Sequence, residues 1–220
     1  MLPEDVYTFD LLRPAKPDPA RPQTNEPVSV HVLDGEETVL FGTGFESGLE
    51  QLVPALESVG GPDVIVVEHG DPDHYAALPS LLERYDATVA IPEQEADVLE
   101  ELGIPVDVEL SHDETRWGVR TIHVPGHTAG NMSFLHEESG TLFVGDTVVH
   151  KNSFTAAPGS WSGSFAPIKP ALNEDDAAAR ENTSILSAYS FDAALLTHGL
   201  NVYEDARSEL DTLLADLETQ

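Results

Sequence analysis

Four short apolar runs in this chain each end on a histidine or an aspartate set beside a glycine, and this shared design constrains the fold more than any other feature. Asp63-Val64-Ile65-Val66-Val67 leads into Glu68-His69-Gly70-Asp71-Pro72-Asp73-His74. Thr121 to Val124 leads into Pro125-Gly126-His127, Thr141 to Val144 into Gly145-Asp146, and Ala194 to Thr197 into His198-Gly199. Short apolar runs bounded by turn residues read as buried strands, so each run places a polar group just past a strand end. Glycine there lets the backbone turn sharply and leaves room for an ion. Imidazole and carboxylate are side chains that hold zinc and iron. Each segment alone also fits a hydrogen-bonded loop histidine or a helix cap, with Asp71 or Asp73 as the cap of a following helix. The two readings differ in whether the fold gathers the four strand ends.

The rest of the chain alternates strands with helices. Val28 to Leu33 alternates, Asp34-Gly35 turns the chain, and Glu37 to Phe41 returns, which predicts a hairpin. Strands are predicted over 64–68, 88–91 and 106–110, separated by helices over about 47–59, 75–85 and 93–102. Four antiparallel strands follow over 115–117, 118–124, 132–136 and 141–144, then a helix over 174–189, a strand over 193–197 and a helix over 203–217. In the last helix Leu210, Leu213, Leu214 and Leu217 share one face, which packs on the body. Such a pattern suits sheets covered by helices on their outer faces. Six of the 16 prolines lie in the first 27 residues, and Pro14 to Pro27 has no period. Residues 1–27 therefore read as an extended arm and residues 28–220 as a single domain.

Charge narrows the partners. The 40 acidic and 10 basic residues give a formal net charge of −30. Phosphate backbones are held by Lys and Arg, so nucleic acid is excluded as a partner. The 40% apolar content falls in periodic blocks, which argues for a folded core against disorder. Self-repulsion of this size calls for high salt, since molar salt shortens the Debye length to about 3 Å, and the composition is like that of cytoplasmic proteins from salt-accumulating halophiles. With no cysteine, any metal must sit on nitrogen and oxygen. There is neither an apolar run near the roughly 18 residues a span needs nor a basic start before an apolar stretch, so a soluble cytoplasmic protein without a membrane partner is expected.

Taken as a set, HGDPDH, VPGHTAGN, FVGDTV and LLTHGLN resemble the signatures of the metallo-β-lactamase fold superfamily: HxHxDH, a lone His in a PGHT-like turn, an Asp in a GD turn and a last His in a GHG-like turn. The resemblance runs from about Val28 to Tyr203. It implies an α/β four-layer αββα sandwich with a two-metal site at one edge between the sheets. It further implies that His69 and His127 serve the first metal, that Asp73, His74 and His198 serve the second, and that Asp146 bridges them. Asp71 stands where the family usually has His. A carboxylate there hardens the ligand set, so two divalent ions are expected, zinc first, with iron or manganese as alternatives.

The function these residues imply is metal-dependent hydrolysis of a small carbonyl substrate, an ester, thioester, lactone or amide, with Asp73 orienting the attacking water. A nonhaem iron oxidoreductase acting on oxygen or a sulfur compound is the alternative that Asp71 supports, and a noncatalytic metal-binding module is a third. Glyoxalase II enzymes hold their thiol carrier through a basic C-terminal extension, which the segment from Tyr203, with Arg207 alone, does not match. Among the remaining histidines, His123 reads as structural and His112 and His136 as solvated. His150 continues from Asp146 toward the expected mouth of the site and is a candidate substrate contact. Residues 151–170, with Phe154, Trp161 and Phe165, read either as a lid or pocket wall or as a surface loop.

Overall fold

A computed structural model describes residues 3–13 and 26–219. The first sheet runs in sequence order through β1 (Val6–Leu11), β2 (Val28–Asp34), β3 (Thr38–Phe41), β4 (Val64–Val66), β5 (Thr88–Pro92) and β6 (Val108–Leu110). The first three strands are antiparallel neighbours and the last four are parallel. Parallel neighbours need crossovers, and helices supply them: α1 (Leu49–Ser58), the short pair α2 (Pro72–Tyr75) and α3 (Leu78–Leu82), and α4 (Ala96–Glu101). The second sheet begins with β7 (Thr115–Arg116), β8 (Val119–His123), β9 (Met132–His136) and β10 (Thr141–Phe143), each antiparallel to the next. A small ladder of β11 (Val149–His150) and β12 (Phe165–Ala166) and a helix α5 (Asp176–Asn182) intervene before β13 (Ala193–Leu195) adds parallel to β10. Helix α6 (Ala206–Leu217) closes the described chain.

Strand parity builds the layers. Side chains alternate between sheet faces, so Val39, Phe41, Val64 and Val66 point one way and meet Met132, Phe134 and Phe143 of the second sheet. Phe41 stacks on Phe143 with ring centroids 4.2 Å apart. Leu40 and Ile65 point the other way, onto Leu52, Leu56, Leu78, Leu81 and Leu99 of the helices. The second sheet repeats the scheme, with Leu135 and Leu142 outward against Leu186, Leu210 and Leu213. Three apolar layers thus separate helices, sheet, sheet and helices: the four-layer αββα sandwich. No helix among the described residues is long and apolar enough to cross a membrane.

Differences from the sequence-based expectation have local causes. Val6–Leu11, inside the expected arm, is the edge strand of the first sheet, paired with β2 from Val6↔Leu33 to Leu11↔Val28. Residues 14–25 of that arm lie outside the described residues. The helix expected over 75–85 instead starts at Pro72 and breaks after Tyr75. There the Ala77 N–H donates to the Gly44 carbonyl at 3.1 Å, and Pro79 has no N–H to give. The segment 151–170 divides. Trp161 and Phe165 are buried in the outer core beneath α6, Trp161 donating Nε1–H to the Ala157 carbonyl, while Phe154 lies against the Arg13 guanidinium. His136, expected in solvent, is buried and bonds Ser139 Oγ at 2.8 Å, because β9 runs between two neighbours.

Candidate metal centre

The four strand ends meet at one edge of the two sheets. Three overlapping groups result, in each of which one ligand atom per residue lies within 4.8 Å of the others: His69, Asp71 and His127; His69, His74 and Asp146; Asp73, His74 and His198. All seven residues singled out in the sequence are in these groups. His69, His74, His127, Asp146 and His198 are buried, and Asp71 is the most exposed of the seven. Asp146 sits centrally, with Oδ2 3.4 Å from His127 Nε2 and 3.2 Å from His198 Nε2, and Oδ1 3.7 Å from His74 Nε2.

Asp71 does not act as a helix cap. It occupies the position before α2, where a cap would be, yet its side chain caps nothing. Its Oδ2 turns instead to His127 Nε2 at 3.1 Å and His69 Nε2 at 3.6 Å. Asp73, the second residue of α2, places Oδ2 3.5 Å from His198 Nε2. The glycines act differently from the expectation that they leave room for an ion. A Cβ on Gly145, at φ 57°, would come within 2.6 Å of the Met132 carbonyl, and one on Gly199, at φ 92°, within 2.5 Å of His150 Cβ. The space beside them is filled by protein, so they permit close packing of the ligand loops.

Burial and proximity set the electrostatics. Burial raises the Asp146 pKa, but His198 and His74 outweigh it and hold the carboxyl well below its usual range. Asp71 is likewise lowered against burial by its hydrogen bond to His127 and by the nearby His69 ring. His69 is pushed down by burial and by neighbouring His74. His74 rises well above the ordinary histidine value, since Glu68 overcomes the cost of burial. Both ring nitrogens of His69, Nε2 of His74 and Oδ1 of Asp146 are buried without a hydrogen-bond partner. Buried donors and acceptors left unpaired are costly, and these belong to residues of the three groups, which hold three carboxylates in all. That donor set, nitrogen and oxygen with excess negative charge, fits divalent metal ions.

A surrounding shell of residues gave no functional signal in the sequence. Glu68 accepts from His74 Nδ1 at 2.9 Å, and the Asn173 Oδ1 faces His127 Nδ1 at 3.1 Å. Asn131 Oδ1 accepts the Asp146 N–H. Glu95 spans two ligand loops, its Oε2 accepting from Gly70 N and its Oε1 from Gly130 N at 3.1 and 2.7 Å. Arg13 Nη2 lies 3.3 Å from Asp73 Oδ2 and 2.9 Å from His198 Nδ1. His150 belongs to none of the three groups; its backbone N–H donates to the His198 carbonyl.

Known proteins resemble this chain in sequence and in fold. The chain is 24% identical over 132 residues to a probable metallo-hydrolase of Bacillus subtilis, covering 54% of this chain and 60% of that protein. It is 30% identical over 104 residues to a hydroxyacylglutathione hydrolase of Chelativorans sp., covering 45% of this chain and 39% of the relative. The match therefore spans about three fifths or less of these relatives' own length. A metallo-β-lactamase from Pontibacter korlensis superposes with a TM-score of 0.72 at 18% identity, covering 100% of this chain and 98% of the other, a likeness of fold. The model of the metallo-beta-lactamase superfamily matches residues 24–188, well over half of the sequence. By that match, and with the sandwich and the strand-end cluster in place, the chain belongs to the metallo-β-lactamase superfamily.

Proposed function

We propose that the protein is a metal-dependent hydrolase of a small carbonyl substrate: an ester, thioester, lactone or amide. The observation that carries this reading is the convergence of seven imidazole and carboxylate groups, among which both ring nitrogens of His69, Nε2 of His74 and Oδ1 of Asp146 are buried without a partner. His69, Asp71 and His127 would hold one divalent ion and Asp73, His74 and His198 a second, with Asp146 between them. Zinc is the first choice, and the Asp71 carboxylate extends the range to iron or manganese. Such ions, when bound, supply Lewis acidity that brings the pKa of water toward about 7 and polarises a carbonyl.

The chain's own groups do the rest. Asp73 has a second carboxylate oxygen to accept a proton from the attacking water and hold it in line. Glu68 and Asn173 accept the Nδ1–H of His74 and His127, which fixes each ring with Nε2 toward Asp146. Two relatives are named as hydrolases, which agrees with this chemistry. The test is turnover of a panel of ester, thioester, lactone and amide substrates after chelation and after return of metal. Metal-restored turnover of at least one class, abolished in His127→Ala, is the expected result. Turnover indifferent to chelator, or unchanged in His127→Ala, contradicts it.

A further inference from the structure

Histidines that ligate through Nε2 keep their proton on Nδ1, usually donated to an acceptor behind the ring. His74 and His127 are arranged this way, facing the Glu68 carboxylate and the Asn173 amide oxygen. The Asn173 orientation is fixed independently, because its Nδ2 donates to Asp176 Oδ1 at 2.8 Å. His198 has the opposite wiring. Its Nδ1 faces Arg13 Nη2 at 2.9 Å, and a guanidinium nitrogen only donates. Nδ1 therefore accepts, and the ring carries its proton on Nε2, which points at Asp146 Oδ2 and Asp73 Oδ2, 3.2 and 3.5 Å away. A nitrogen bearing that proton has no lone pair for a metal.

The same Nη2 lies 3.3 Å from Asp73 Oδ2, so one guanidinium engages two of the three groups of the Asp73, His74 and His198 cluster. It is seated by Phe154, whose ring centroid is 4.9 Å from Arg13 Cζ, and by Phe45 at 5.9 Å. Its charge is permanent. Arg13 comes from the chain just beyond edge strand β1, beside Leu12, which is exposed, so the residue stands at the surface end of that strand.

We propose that Arg13 competes with the metal of the Asp73, His74 and His198 group, so that the protein takes up one divalent ion tightly and a second only as Arg13 withdraws from His198. This rests on the reading of the site as a metal centre. Binding of the second ion turns His198 to the Nδ1–H form, which repels the Arg13 donor. Loading and the Arg13 contact exclude each other. The His69, Asp71 and His127 group has no such competitor among the described residues and fills first.

Zinc titration with a competing chelator tests the proposal, comparing wild type with Arg13→Ala and Arg13→Lys. Wild type should bind its second zinc at least about tenfold more weakly than its first. Arg13→Ala should tighten the second by about tenfold or more with little change in the first, and Arg13→Lys, which keeps a cationic donor, should stay nearer wild type. Equal or weaker second-ion binding in Arg13→Ala overturns the proposal. Histidine 15N shifts of the wild type along the same titration provide a check that needs no variant. His198 should pass from Nε2–H to Nδ1–H as the second zinc binds, and Nδ1–H in the metal-poor protein refutes the competition. Absence of any bound zinc would overturn the metal-centre reading itself, an outcome distinct from two ions bound alike in wild type and Arg13→Ala.

Discussion

Asp71 carries a carboxylate in a position whose neighbours are imidazoles, and it faces both His69 and His127. A histidine there makes the first ligand group softer and less negative. Asp71→His should therefore shift the zinc-to-iron ratio of protein grown with both metals toward zinc, read by elemental analysis; an unchanged ratio argues that Asp71 is not a ligand. His31 offers a second test at this scale. Burial lowers its pKa to about 4, from 6.5 for the free side chain. Between pH 6.5 and 4 the unfolded chain takes up a proton that the native ring refuses, so stability falls as pH falls through that window and the loss levels off below it. The penalty reaches about 3 kcal/mol by pH 4. Denaturation of chelator-treated wild type and His31→Phe at pH 7 and pH 4.5 should show the wild type losing about 2 kcal/mol more; parallel losses would refute the assignment.

Ligand loops are held by elements far away in sequence. Glu95, in the turn that leads into α4, receives N–H bonds from Gly70 and Gly130, so one buried carboxylate ties the loop after β4 to the loop before β9. Removing it leaves two buried donors unpaired, each costing about 1–3 kcal/mol. Glu95→Ala should lower unfolding free energy by that order and weaken metal binding, while Glu95→Gln, with one acceptor oxygen, should lose less. A fully stable Glu95→Ala with wild-type metal affinity would show that the loops hold themselves. Elements were legible where pattern is local. The apolar runs at β4, β8, β10 and β13 and the leucines of α6 announced themselves by period and turn residues. The break between α2 and α3 was not legible, because it depends on the Gly44 carbonyl meeting Ala77 across the fold. Arg13, Glu95 and Asn173 escaped notice for the same reason: each acts on partners 25 or more residues away, and none stands in a spacing that marks it.

At the scale of the whole molecule, a net charge of −30 is confined with two apolar sheets, and three of the carboxylates that contribute to it are gathered in one site. Of the described arginines, Arg116, Arg120, Arg180 and Arg207 are already paired with nearby acids. Unfolding relieves the remaining repulsion, and salt screens it. Melting temperature should therefore climb steeply from dilute buffer to molar KCl, and a flat dependence would show that the acidic surface imposes no such penalty. The folded architecture then has one purpose that every level shares, bringing four strand ends to a single edge. Metal content of the purified protein beside Asp146→Ala tests that claim most directly. The account predicts that wild type retains at least one divalent ion per chain through desalting and reaches two at saturation, while Asp146→Ala retains far less. A wild type that binds no divalent ion, or an Asp146→Ala protein that binds as much as wild type, would contradict it.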